Sequence, residues 1–159
     1  MLFRSSTMTL QDVITGIGCI ARDSLAYTGT DLIFLSSTGV RSALRTIQEK
    51  SMPLRDISKN VRNDLISAVA GESSSSIKSV YNSKEAFYLL TLPVLKTVYC
   101  FDMKAALQDG SARVTTWDSI QPKSLFCKQD GTLYVGQSGY LGTYTGYTDS
   151  TAKIGRAHV

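Results

Sequence analysis

The chain has 159 residues, 43% of them apolar, with eight tyrosines and a formal net charge of +4. That length and content suffice for a real core. No run approaches the ~18 apolar residues of a membrane-spanning helix, and three cysteines without a CxxC pair exclude a zinc knuckle or a redox dithiol.

Residues 1–15 form a poorly determined lead-in. Residues 1–7 (MLFRSST) lack a basic n-region followed by an apolar h-region. With Met1 expected to lie inside a longer protein, this leaves the question of a leader open. The stretch 16–21 (GIGCIA) reads as an inner strand of small residues. Residues 31–36 (DLIFLS) read as a buried strand, a turn follows at Ser37, Thr38 and Gly39, and 40–46 (VRSALRT) read as the returning strand with a composition that also suits a helix start.

The period then changes. Over 53–69 (PLRDISKNVRNDLISAV), Leu54, Ile57, Val61, Leu65 and Ala68 recur at three and four residues, the spacing of an amphipathic helix. Pro53 suits the first turn, Ser51 a cap and Gly71 a stop. The polar loop 71–76 (GESSSS) closes an insertion of about 50–76.

A complete four-stranded unit follows: 76–82 (SIKSVYN), 85–92 (EAFYLLTL), 96–103 (KTVYCFDM) and 112–120 (ARVTTWDSI). Its Asp109-Gly110 pair marks a hairpin. A further unit begins at SLFCK and runs through TLYVGQ and GYLGTYTGY. Comparable strands near Asp31, Glu85 and Thr132 recur at roughly 45–55 residues, a propeller-blade period. A blade buries its faces only against neighbours, and rings use about 4–8 of them. The expected fold class is therefore all-β: a partial β-propeller of antiparallel blades over 16–152 with one inserted α-helix, and a piece of a longer protein.

The last seven residues, 153–159 (KIGRAHV), end in a string that one frame of a short-read sequencing adapter encodes. They are expected to lie outside the fold. Leaving out Lys153 and Arg156 lowers the charge to about +2, so basicity gives weak support for nucleic-acid binding. His158, the only histidine, falls in the same tail. Without it no Ser-His-Asp or Cys-His set exists.

No catalytic, cofactor-binding or metal-ligating set emerges. Cys19, Cys100 and Cys127 each sit in an apolar stretch that predicts a buried structural thiol, in keeping with a reducing compartment. Asp56/Asp64 and Asp23/Asp31 are spaced as solvent-facing and turn carboxylates, not as a glycosidase pair. Tyr81, Tyr88, Tyr99, Phe101 and Trp117 alternate within strands, which predicts packing. The GxGxx strings of the last unit lack the helix that a phosphate loop needs. One ordered charge pattern stands out: Arg55, Lys59 and Arg62 share a helix face. Its bland reading is a solvated face. Its sharper one is a contact with a neighbouring subunit or, non-specifically, with DNA.

Taken in order, TGTDLIFLSSTGVRS, TIQEKSMPLRDISKNVRNDL, VYNSKEAFYLLTLP, VYCFDM, ARVTTWDSI and DGTLYVGQSGYLGTYTGY resemble the tail nozzle, or tail tubular protein B, family of short-tailed bacteriophages. The resemblance spans about 16–148. No single motif is unique; the ordered set carries it, and family members are several times longer. It implies a structural virion component of the tail, assembled in the host cytoplasm: a homo-oligomeric six-fold ring below a head-to-tail adaptor, meeting tail fibre proteins, bounding the DNA ejection channel and helping retain the genome. It implies no cofactor, no enzymatic activity and no membrane in the mature virion. Two other classes compete: a cellular β-propeller that binds protein or glycan, and a propeller hydrolase whose acids or metal ligands would lie elsewhere.

Overall fold

The computed structural model describes residues 17–49, 56–118, 120–144 and 156–158. The fold is mostly β, built as three antiparallel sheets that follow one another along the chain. The first comprises β1 (Ala26–Tyr27), β2 (Leu32–Ser36) and β3 (Gly39–Ser42). The second comprises β4 (Lys78–Asn82), β5 (Phe87–Leu92), β6 (Thr97–Ala106) and β7 (Ala112–Trp117), with β11 (Arg156–His158) along its edge. The third comprises β8 (Ser124–Cys127), β9 (Leu133–Gln137) and β10 (Tyr140–Thr143). Two short helices, α1 (Ala43–Glu49) and α2 (Arg62–Ala70), lie between the first and second sheets in sequence.

The middle sheet explains the stacking. All six residues of β5 are buried, so both faces of this predominantly apolar strand are covered, its one threonine, Thr91, donating to the Pro122 carbonyl at 3.1 Å. Tyr88, Leu90 and Leu92 join Tyr99, Phe101 and Val114 in one core, where Ile33, Leu35 and Val40 of the first sheet meet Ile57, Val61 and Leu65. Phe87 and Leu89 point the other way, to Val98, Cys100, Trp117 and the third sheet's Leu133 and Val135. There Phe87 meets Trp117 edge-on at 5.9 Å, and Tyr144 stacks on Trp117 at 5.6 Å, the arrangements aromatic quadrupoles favour. Successive sheets thus pack face to face in chain order.

The strands of the middle and third sheets fall where the sequence put them, and the alternating aromatics are buried or half-buried as read. Four expectations need correction. The GIGCIA stretch supplies no strand among its described residues. Only Cys19 bridges to Ser36, and a 3-10 turn at Arg22–Ser24 follows. The turn is pinned because the Ser24 hydroxyl donates to the Ala21 carbonyl at 2.6 Å and accepts from the Leu35 amide at 3.0 Å.

The returning strand stops at Ser42 and gives way to α1. Ser42 acts as its cap, its hydroxyl accepting the Arg45 amide at 3.1 Å, while Asp31 accepts the Leu44 amide at 2.9 Å. Two orphan amides of the first turn are thereby satisfied, which lets a helix start on a strand-like composition.

The inserted helix is shorter than its periodicity suggests. A turn at Ile57 and Ser58 and a 3-10 segment Lys59–Val61 precede α2, and α2 ends at Gly71 as expected. Ser51, Pro53, Leu54 and Arg55 lie outside the described residues. Finally, the backbone of Arg156–His158, within the tail expected to stand apart, pairs with Val114–Thr116 of β7.

Candidate functional site

The predicted basic face lies at the seam between the first two sheets, and the segment 56–62 builds that seam. Asp56 is 1% exposed although its spacing from Asp64 reads as solvent-facing. Its Oδ2 accepts from Arg62 through Nε at 3.0 Å and Nη2 at 2.8 Å. Arg41 of β3, itself buried, brings its Nη2 to 3.9 Å from the same oxygen and also donates to the Thr38 hydroxyl at 2.7 Å. A buried carboxylate persists only when paired and hydrogen-bonded, and two guanidiniums together with Ser58 provide that.

Ser58 couples this charge to the sheet. Its hydroxyl accepts the Val40 amide at 2.9 Å, on the open edge of β3, and lies 3.4 Å from Asp56 Oδ1. The approach is so close because Gly39 opposes it: a Cβ at Gly39 would sit 2.3 Å from the Ser58 hydroxyl oxygen. Gly39 also has φ +126°, a conformation that a side chain resists.

On its other side the segment is tied to the middle sheet. The Ala112 amide donates to the Ile57 carbonyl at 2.9 Å, and the Asn60 amide group donates to the Ala112 carbonyl at 3.2 Å. Arg45 of α1 reaches the Gly110 carbonyl at 2.8 Å. Lys59 lies 3.3 Å from Asp109. The Asp109 carboxyl is held down at about 2, chiefly by the side chain and backbone of Ser111 and then by Lys59. The turn carrying Asp109-Gly110 is therefore docked as well as tight.

The predicted interface residues part company here. Arg62 is turned onto Asp56 and Lys59 onto Asp109, so neither is a free cation of a solvated stripe. Arg55 lies outside the described residues. Sequence reasoning missed Arg41, Asp56 and Ser58, the residues at the centre of the seam. The one signal for them is the local Asp-Ile-Ser pattern, since Asp and Ser two apart favour side-chain-to-backbone turns over helix. The Ser58 amide indeed faces Asp56 Oδ1 at 3.5 Å.

Other polar groups serve the same joint. Lys78 of β4 reaches Asp23 at 2.5 Å, and the Tyr88 hydroxyl donates to the Ser24 carbonyl at 2.6 Å. The Asp23 carboxyl is held at about 2 by Arg22 first and Lys78 second. Cys100 is buried, and its thiol is pushed up to about 12 by desolvation. Contrary to expectation, Cys19 is exposed and Cys127 only half-buried. Among the described residues no three His, Cys, Asp or Glu side chains gather as metal ligands. An apolar hollow of about 200 Å³ lies between the β2–β3 turn and α2, lined by Ile20, Leu35, Leu65, Ile66 and Val69 with few polar groups. It offers shape but no set of reacting groups. Comparison of the chain with protein-family models, curated proteins and solved structures finds no match.

Proposed function

We propose that this chain is a structural, non-enzymatic part of a phage tail nozzle, contributing blades of a propeller to the wall of a DNA ejection channel. The observation that carries the reading is the ordered resemblance of its segments to the nozzle family, together with where those segments fall. GVRS forms β3, the DIS stretch forms the seam, FYLL forms β5 and TLYVG overlaps β9. These are the positions that stack one sheet on the next, as propeller blades stack about an axis.

The basic residues take a different role from the one their spacing alone implies. Lys59 and Arg62 lock the seam through Asp109 and Asp56, so their first task is to hold two sheets at a fixed angle. A channel wall under load from packaged DNA needs such a joint. The part of each side chain that remains exposed faces outward, where it adds a weak, salt-screened attraction to a neighbouring subunit or to DNA.

The test is genomic and structural. The genes flanking this one should encode a portal, a head-to-tail adaptor or a capsid protein. The full-length product should assemble as a six-fold ring visible by electron microscopy. Flanking genes of cellular metabolism, with a monomeric full-length product, would overturn the reading in favour of a cellular binding module.

A further inference from the structure

One side of β7 pairs with β6, and its other side binds backbone from two distant segments. On that outer side the Ala112 amide donates to the Ile57 carbonyl at 2.9 Å, and the Ala112 carbonyl accepts from the Asn60 side chain at 3.2 Å. Backbone groups alternate in direction along a strand of an antiparallel pair. With both groups of Ala112 turned outward, those of Val114 and Thr116 are turned outward as well. They meet β11: Val114 stands opposite His158 and Thr116 opposite Arg156.

It is the edge that recruits the strand, not the strand that seeks the edge. The segment Arg156–His158 contains no β-branched residue and none of Phe, Tyr or Trp, the residues that favour strands. The whole third sheet separates it from β7 in sequence, and among the described residues no hairpin fills the outer edge. In contrast, β7 (ARVTTW) carries three β-branched residues, no proline and a single charge, Arg113, so it lacks most of the devices that blunt an exposed edge. Val114 is fully buried, and a buried amide has to find a partner. The edge therefore calls for extended backbone, and the side chains and connectivity of what supplies it matter little.

We propose that the outer edge of β7 is a strand-acceptor site, which takes an extended segment of another protein chain antiparallel to β7 through main-chain hydrogen bonds. This mode of recognition is β-augmentation. It goes beyond the nozzle reading and does not depend on it. Because neither sequence pattern nor connectivity selects Arg156–His158, a segment delivered by a neighbouring protein competes for the same positions. That segment needs N–H groups at the two residues facing Val114 and Thr116, which excludes proline there. The residue between them, facing Thr115, turns its backbone away from β7 and accepts proline.

Amide hydrogen exchange at Val114, read by NMR on the full chain, tests this, with the Leu89 amide of β5 as the folding control. In the parent the Val114 amide should exchange slowly. Arg156→Pro/His158→Pro removes the donors that face β7, and Val114 exchange should rise by roughly tenfold or more, the equivalent of about one lost hydrogen bond. Ala157→Pro, on the position turned away, should behave as the parent does. A synthetic peptide of sequence KIGRAHV, capped at both ends and added to the double variant, should restore slow exchange in trans. The same peptide methylated on the Arg and His backbone nitrogens should not. Unchanged Val114 exchange in the double variant would overturn the proposal, since the edge would then need no added strand. So would failure of the unmethylated peptide up to its solubility limit, since the edge would then take only a segment of its own chain. Equal rescue by the methylated peptide would overturn main-chain recognition. Should the double variant lose its far-UV β signal, His158→Pro alone, opposite Val114, carries the same comparison. The flanking-gene test is independent of all these outcomes, so the two readings fail separately.

Discussion

Replacing Ser58 by alanine removes the acceptor for the Val40 amide, a buried donor at 2.9 Å on the edge of β3. An amide left buried without a partner costs about 1–3 kcal/mol. Placing alanine at Gly39 costs by a different route. The new Cβ would fall 2.3 Å from the Ser58 hydroxyl oxygen and 3.1 Å from Asp56 Oδ2, on a backbone at φ +126°. Backbone strain of that kind is worth about 1–3 kcal/mol, and the overlap adds to it. The two substitutions should not add. With Ser58 truncated, the overlap at 2.3 Å is gone and Gly39→Ala pays only the backbone strain and the milder contact with Asp56. Urea unfolding of the parent, the two single variants and the double variant closes a thermodynamic cycle. The coupling should be at least ~1 kcal/mol, in the sense that the double variant is more stable than the sum of the singles implies. Additivity within ~0.3 kcal/mol would show that Ser58 and Gly39 do not share the close approach, and the seam as described would be wrong.

Leu89→Ala, in the second core between the middle and third sheets, should cost about 2–5 kcal/mol in the same assay, because the surrounding aromatics cannot collapse onto the space; a loss below ~1 kcal/mol would mean that the third sheet does not pack there. With a thiol reagent near pH 8, Cys19 should react in the native protein and Cys100 only on unfolding, since burial holds the Cys100 thiol at about 12; native-state modification of Cys100, read by peptide mass, would contradict its place beneath the third sheet. Asp23 and Asp109 lie near 2 in the folded chain, below the ordinary carboxylate range. Lowered folded values give stability that is present above the unfolded pKa of about 4 and is lost as pH falls through about 4 toward 2. Asp109→Asn should flatten that part of the stability profile, and an unchanged acid limb would sink the assignment.

The sequence makes the middle sheet legible because its signals are local and redundant. Asp109-Gly110 marks a hairpin, and FYLLTL carries apolar residues on both faces of the pleat, a pattern that suits a doubly covered strand. The seam is harder to read because its cause is tertiary. Helical spacing from Leu54 to Ala68 rightly finds the buried stripe of Ile57, Val61 and Leu65, yet 3-10 geometry serves the same spacing over one turn. The choice is then made by the hydrogen bonds from Ala112 and Val40, which lie far away in sequence. Arg62 sits on an amphipathic pattern as a surface cation should. Its partner, Asp56, is buried by a strand and a turn that no helical wheel contains. The start of α1 shows the same competition on a smaller scale: Ser42 is a legible cap, but Asp31, which accepts the second amide, comes from the preceding strand's entry.

The polar seam and the apolar faces do different work in this fold. Apolar faces attract one another without direction and tolerate sliding by a residue pair along the pleat. Left to those faces alone, the first sheet could settle on the middle one in several registers. Asp56 removes that freedom, because its carboxylate is satisfied only where Arg41 of β3, Arg62 of α2 and the Ser58 hydroxyl converge. The Ile57–Ala112 backbone bond and the Lys59–Asp109 pair then fix the same segment to β7 and its turn. A replacement of this cluster by apolar residues of similar volume could keep the stability of the joint, but it would surrender the fixed angle between sheets. What the cluster contributes to this joint is therefore geometry more than energy.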